Sequence, residues 1–322
     1  MFLLIALTIV LAILPGQPIH AENNSQNIKS YSNAHVSKIK NTLSFISNDL
    51  TRGRQTGTNG SLIVSSFLRN KLKSMEMIPF YSKTLTQSFI AVGDHGNPVI
   101  GRNIIGVLPS LYYSDKYVII SAHYDHLGIL GGQIYNGADD NASGVTALLT
   151  IAEWFYNMRK ERVGPKVNII FAFFDAKENN MAGSEFFAKN LKIPASKIKI
   201  NINLDQLGCT FAPPGTREDY LLYVADKGLK PELRRKLNII NKFYGINLDI
   251  DHTFYSSSAF YEIFMKTSDQ HNLSKVGIPS MLFTSGIHMH TYKPTDEHYF
   301  INYPVFIKRI KLIFHLIEDY VK

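Results

Sequence analysis

The chain has 322 residues, of which 45% are hydrophobic, 12% aromatic and 19% charged; this is the balance of a folded globular protein and excludes a disordered one. The formal charge is +8, yet the basic residues, among them Arg52, Arg54, Lys71, Lys73, Lys189, Lys192, Arg234 and Arg235, are scattered. No basic run is interleaved with aromatics, which argues against a nucleic-acid reader and leaves the charge as an aid to solubility and a loose attraction to anionic surfaces, while the single cysteine, Cys209, excludes an internal disulfide and reads as a small core residue.

Residues 1–21 carry no acidic or basic side chain, and residues 2–14 form an almost unbroken apolar run followed by Pro15, Gly16 and Ile19-His20-Ala21. This pattern reads as a signal peptide cleaved after Ala21. About 13 apolar residues fall short of the ~20 that span a bilayer, so no stable membrane span is expected after cleavage. The mature protein is expected to be exported, to the periplasm or the extracellular space. Residues 22–33 are polar and read as a flexible lead-in; residues 34–322 then read as a single domain.

Within that domain, apolar residues at helical spacing predict helices over 36–50 and 61–77, separated by a loop punctuated by Gly53, Gly57 and Gly60. Strands are predicted over 103–108 and 117–122, the latter continuously apolar and ending at His123, as expected of a strand buried on both faces. A helix over 142–155 is opened by Asp140 or Asn141 as cap. Beyond it come a strand over 167–174, a helix over 183–191, strands over 199–204 and 220–225, a helix over 231–243, a short strand over 280–284 and an amphipathic helix over 303–320. Alternating strands and helices predict an α/β fold with a mostly parallel central sheet covered by helices on both faces.

The residues just beyond each buried strand carry the chemistry. After 117–122 comes His123-Tyr124-Asp125-His126, and after the next turn Gly137-Ala138-Asp139-Asp140-Asn141. After 167–174 comes Asp175-Ala176-Lys177-Glu178, and after 199–204 comes Asp205. Open α/β sheets bind ligands beyond the carboxyl ends of their strands, so imidazole and carboxylates from several strand ends meet at one edge, a zinc-type donor set. Each residue alone is weak, since a strand-end Asp such as Asp139 more often caps a helix or bonds a loop; the ordered set is the signal.

The segments SAHYDHLG, NGADDNASGV, AKENNMAGSEFF and INLDQLG, with SDQHNLSKVGIP and KPTDE further on, resemble the zinc metallopeptidase family M-28, which includes bacterial leucyl aminopeptidase, aminopeptidase Y, glutamate carboxypeptidase and glutaminyl cyclase. The resemblance covers nearly all of the mature chain. It implies the zinc-aminopeptidase fold, two zinc ions sharing a bridging carboxylate, a glutamate general base and a peptide substrate cut at its N-terminal residue. Carried over by motif, His123, Asp140 and Asp205 hold one zinc, Asp140 bridges, Glu178 holds the second, and Asp125 orients the His123 ring. The Asp140–Asn141 peptide matches a bond often cis in the family.

Two positions depart from the family pattern. Lys177 stands where the general-base glutamate is expected, and it has three readings: a degenerate protein that keeps fold and metal but hydrolyses nothing, a lysine that itself serves as base, or an ammonium replacing the charge of a missing second metal. The final motif, aligned without gaps, places Tyr292 where the last histidine ligand belongs. His290 and His288 precede it by two and four residues, and in an extended segment i and i+2 point the same way; His290 is therefore the preferred last ligand, with Tyr292 the alternative and His298 less suited. His126 and His271 are expected to be structural or to line the substrate cleft. Phe254, Tyr255, Phe260 and Phe264 are read first as core and second as a pocket wall. The reading is a zinc-dependent exopeptidase-like hydrolase holding one or two ions, with Lys177 and Asp125 at the catalytic positions. A peptide- or metal-binding envelope protein and a one-zinc glutaminyl-cyclase-like acyltransferase are the alternatives.

Overall fold

A computed structural model describes residues 33–81, 83–210, 217–253 and 257–322; the expected signal peptide, the lead-in up to residue 32, and Phe254 and Tyr255 lie outside the described residues. Met1–Ser37 and Lys38–Lys322 separate as two units, and the chemistry-bearing residues all fall in the second. Helix α1 (Asn33–Ile46) is followed by α2 (Asn59–Ser74), then by strands β1 (Ile78–Pro79), β2 (Thr86–Val92), β3 (Pro98–Leu108) and β4 (Tyr117–His123). A small hairpin, β5 (Gly128–Leu130) and β6 (Gln133–Tyr135), precedes α3 (Gly144–Lys160), β7 (Asn168–Phe174), α4 (Ala182–Lys189) and β8 (Ile198–Leu204). The remainder comprises β9 (Tyr220–Ala225), α5 (Lys230–Phe243), β10 (Asp249–Asp251), α6 (Ser258–Lys266), α7 (Gln270–Lys275), β11 (Ser280–Thr284) and α8 (Tyr303–Val321).

Among the described residues the main sheet runs β1-β3-β7-β4-β8-β11-β9-β10, with β2 paired to β3. Its centre is parallel: β4 lies between β7 and β8, and β11 continues on β8. Toward both sides the sheet turns antiparallel, at β3 against β7 and at β9 against β11. The fold is thus a mixed α/β sheet, parallel where the chemistry sits. All seven residues of β7 are buried, which is why its apolar run shows no alternation. The larger core packs α3 and α8 on one face of the sheet, through Leu148, Ile151, Phe155, Phe306, Ile310 and Ile313. A second cluster on the other face joins Phe187 of α4 and Leu273 of α7 to Ile119, Ile170 and Phe174.

Several boundaries differ from the sequence expectation, and three of the differences have a plain physical reason. The helix expected from 142 begins at Gly144, because residues Ala138–Ser143 form a wide turn with non-helical torsions at Asp140 and Asn141. Ser143 is the N-cap residue and makes no side-chain cap bond; Asn141, two residues earlier, accepts from Gly144 N through Oδ1 at 3.0 Å. The strand expected over 103–108 extends back to Pro98, because β2 pairs along its length. Helix α1 stops at Ile46, and Asn48 begins a short irregular turn, Asp49–Arg54, with Leu50 exposed.

Candidate metal centre

Strands β7, β4 and β8 are mutually parallel, so their carboxyl ends open on the same edge of the sheet. His123 closes β4, Asp205 comes directly after β8, and the wide turn before α3 supplies Asp140. Their donor atoms converge, each lying within 4.8 Å of the others. His123 Nε2 is 3.3 Å from Asp205 Oδ1 and 3.4 Å from Asp140 Oδ1. His123 Nδ1 faces the backbone carbonyl of Asp125 at 3.2 Å, and a carbonyl only accepts, so Nδ1 carries the proton and donates. The Nε2 lone pair is therefore turned toward two carboxylates. Both oxygens of the fully buried Asp140 carboxylate lack a hydrogen-bond partner. Such an arrangement suits a cation between these groups, because a buried charge is stable only when paired and the Lys177 ammonium lies no nearer than 3.9 Å to Asp140. Without one, burial opposes charging of the His123 ring, but Asp205 outweighs it and raises the imidazole well above its usual range. One nitrogen and carboxylate oxygens form a donor set suited to zinc.

Asp125 performs a task the sequence did not suggest. Its carboxylate lies 3.6 Å from His123 Nδ1, further than its own carbonyl. Beside this contact with the ring, its two oxygens accept from the backbone N–H groups of Lys177 and Glu178, at 3.0 Å each. The dipeptide beyond the end of β7 is thereby pinned to the loop beyond the end of β4.

A second group, His126, Asp140 and Glu178, shares Asp140 with the first. His126 is fully buried, and neither ring nitrogen has a partner; burial lowers its pKa to about 3, so the ring is neutral. Lys177 Nζ reaches the same space, donating to Glu178 Oε1 at 2.9 Å and to the Tyr292 hydroxyl at 3.1 Å, with Asp140 Oδ1 at 3.9 Å. Burial disfavours the ammonium, but Asp140, Glu178 and Asp205 outweigh it and hold Lys177 protonated. Burial also pushes the Glu178 carboxyl up, to about 7, against the pull of Lys177.

The structure does not bring His290 to this centre. Its Nδ1 meets Thr295 Oγ1 at 3.0 Å and its ring stacks on Phe300 at 4.0 Å. The segment is not extended: Thr291 N bonds His288 O, Lys293 N bonds His290 O, and Tyr292 has φ +57°. The chain turns, so side chains two apart do not share a direction, and Tyr292 is the one that faces Lys177. His288 pairs with Asp139 instead, Nε2 to Oδ2 at 3.0 Å, while its Nδ1 accepts from His290 N. His271 and His298 belong to no metal-capable group among the described residues. Phe264 is buried against β9, and Phe260 is exposed, so neither walls this centre.

Several positioning residues were not anticipated. Arg54, read from sequence as one of the scattered surface charges, is fully buried. Its guanidinium donates to the carbonyls of Tyr124 (2.8 Å), Gly137 (3.0 Å), Ile46 (3.1 Å) and Asn136. Burial lowers its pKa to about 10, which still leaves it charged at neutral pH. Asp296, inside the KPTDE segment, accepts from the N–H groups of Asp139 and Asp140 at 2.9 and 3.0 Å. Ser268 donates to Asp205 Oδ2 at 2.6 Å. Asn141 bridges the wide turn to the end of β8 through Leu204 O and Gln206 N. Asp296 and Ser268 do lie in the quoted motifs, so the motif was a signal; for Arg54 there was none.

The family model for peptidase family M28 matches residues 103–317, a span that contains the ends of β4, β7 and β8 and the turn that carries Asp140. The chain is a member of peptidase family M28. Curated relatives of this M28 chain include a probable zinc metalloprotease of Pyrenophora teres f. teres, 29% identical over 134 residues covering 40% of this chain and 28% of that protein. A probable glutamate carboxypeptidase of Arabidopsis thaliana is 31% identical over 123 residues, covering 37% of this chain and 17% of that one. The matched stretch thus spans less than a third of these relatives' length. Similar folds are found in Porphyromonas gingivalis glutaminyl cyclase (TM-score 0.68, 18% identity, 89% of this chain and 98% of that one). The zinc aminopeptidase BSAP of Bacillus subtilis gives TM-score 0.66 at 15% identity, over 89% of this chain and 95% of that one. No helix among the described residues of this M28 chain is long and apolar enough to cross a membrane.

Proposed function

We propose that the chain is a zinc-dependent exopeptidase-like hydrolase that removes the N-terminal residue of peptides, with Lys177 standing where the general-base glutamate is expected. The observation that carries this reading is the convergence of His123 Nε2 with Asp205 and Asp140, the latter with both oxygens buried and without a hydrogen-bond partner. Zinc held by His123, Asp140 and Asp205 would supply Lewis-acid polarisation of a scissile carbonyl. Asp125 holds the Lys177-Glu178 backbone in place, and its carbonyl fixes the His123 tautomer. Lys177, protonated among three carboxylates, cannot accept a proton; it offers positive charge and a hydrogen-bond donor toward negative charge developing on a substrate oxygen. Proton acceptance, which glutamate would provide, is the weak step. Export to the periplasm or beyond belongs to the same proposal and rests on the apolar run over residues 2–14.

Zinc content measured beside hydrolysis of an aminoacyl-substrate panel tests the reading, with Lys177→Glu run in parallel. The expected result is zinc in both proteins, slow turnover in the parent and faster turnover in the variant. Absence of zinc and of turnover in both would refute it. The pairing of Lys177 with Glu178 and Tyr292 also favours a second reading, a protein that binds peptides without cutting them. A parent with zinc but no turnover, converted to an active enzyme by Lys177→Glu, would select that one.

A further inference from the structure

Of the three metal-capable groups among the described residues, one joins Asp139, Cys209 and His288, while the other two meet at Asp140, yet those two are not equivalent. His123 Nε2 faces the carboxylate oxygens of Asp205 at 3.3 Å and Asp140 at 3.4 Å. In the second group, an ammonium already contacts two of the three prospective ligands, Glu178 at 2.9 Å and Asp140 at 3.9 Å. We infer that the Lys177 ammonium occupies the place of a second cation, so that the centre takes one zinc ion, and that His126, Asp140 and Glu178 form a second zinc site only when that ammonium is removed.

The charges favour this arrangement. Asp140, Asp205 and Glu178 bring three negative charges when ionised. One divalent ion and one ammonium balance them, whereas two divalent ions beside the ammonium would leave a buried excess of two positive charges, which a low-dielectric interior resists. Lys177 cannot easily withdraw, because its backbone N–H is held by Asp125 and its Nζ by Glu178 and Tyr292. The remaining ligand is in waiting: His126 is fully buried and has two unpartnered nitrogens beside Asp140 and Glu178.

The inference rests on the zinc reading above, and a metal count separates the two. The purified full chain is equilibrated with excess zinc, desalted, and its zinc-to-protein ratio measured by elemental mass spectrometry. The parent is expected to hold one ion per chain, Lys177→Arg one, Lys177→Met two, and Lys177→Met with His126→Ala one again. Two ions in the parent, or one in a folded Lys177→Met, would overturn the inference and leave the zinc reading standing; two in the double variant would overturn the role given to His126. No ion in the parent would overturn both. Circular dichroism establishes that each variant is folded, and the parent count needs no variant.

Discussion

Replacement of Arg54 by methionine keeps an unbranched apolar stem and deletes the guanidinium. Four buried carbonyls then lose their donor: Ile46, Tyr124, Asn136 and Gly137. Hydrogen bonds to charged groups are worth roughly 1.5–3 kcal/mol each, and a buried acceptor left unpaired costs roughly 1–3 kcal/mol. Water entering the vacated volume recovers part of this, so the expected loss is about 3–6 kcal/mol, at the upper end for a single substitution. At roughly 2 °C per kcal/mol for a domain of this size, the melting midpoint falls by about 6–12 °C. Three of these carbonyls, those of Tyr124, Asn136 and Gly137, lie on the loops that carry Asp125 and Asp140, so zinc affinity should fall with stability. Urea denaturation of the zinc-free protein and competition against a chromophoric chelator measure the two effects. A loss under about 1 kcal/mol with parental zinc uptake would refute the idea that this buried cation organises the centre.

Asp125→Ala removes the acceptor for two backbone N–H groups and should weaken zinc binding about 10–100-fold, as loss of outer hydrogen bonds does at metal sites; chelator competition reads it. Gly144→Ala places a Cβ 2.5 Å from Leu204 O and closer still to Asn141 Oδ1, so the Asn141 bridge must shift; a stability loss of about 2 kcal/mol or more is expected in thermal melts, within the range for steric strain in a packed interior. Asp219 accepts from Lys308 at 2.6 Å and Arg217 at 2.9 Å, and these partners, Lys308 first, lower its pKa below 3.8. A carboxyl depressed on folding contributes stability above its unfolded pKa and loses it as pH falls through the folded value. Lys308→Ala should therefore cost about 0.5 kcal/mol at pH 7 and nothing once Asp219 is protonated, which a pair of pH-resolved melting series can establish.

Much of the architecture was legible because burial leaves a plain mark in strands such as β4 and β7, whose apolar runs end at His123 and Asp175. Strand β2 was missed because Ile90 and Val92 are exposed beside buried Phe89 and Ala91, which erases the alternation that marks a half-buried strand. The metal-facing residues on strand ends could be read, since a parallel sheet brings those ends together. His290 could not be placed, because the i, i+2 rule presupposes extended backbone and the segment instead turns at Tyr292. Arg54 was illegible for a different reason: its burial depends on carbonyls from three separate stretches of chain, none of which carries a sequence signal.

The grip of Asp125 on two successive amides has an evolutionary corollary. Because the hold is on the main chain, the side chain at position 177 is interchangeable: a mutation there swaps the reactive group while its neighbour Glu178 keeps its station. A lineage could pass between acid, base and inert forms of this centre by single codon changes, with no rebuilding of the scaffold. Reversal would be equally short, which makes the pocket a convenient chassis for installing new chemistry by design.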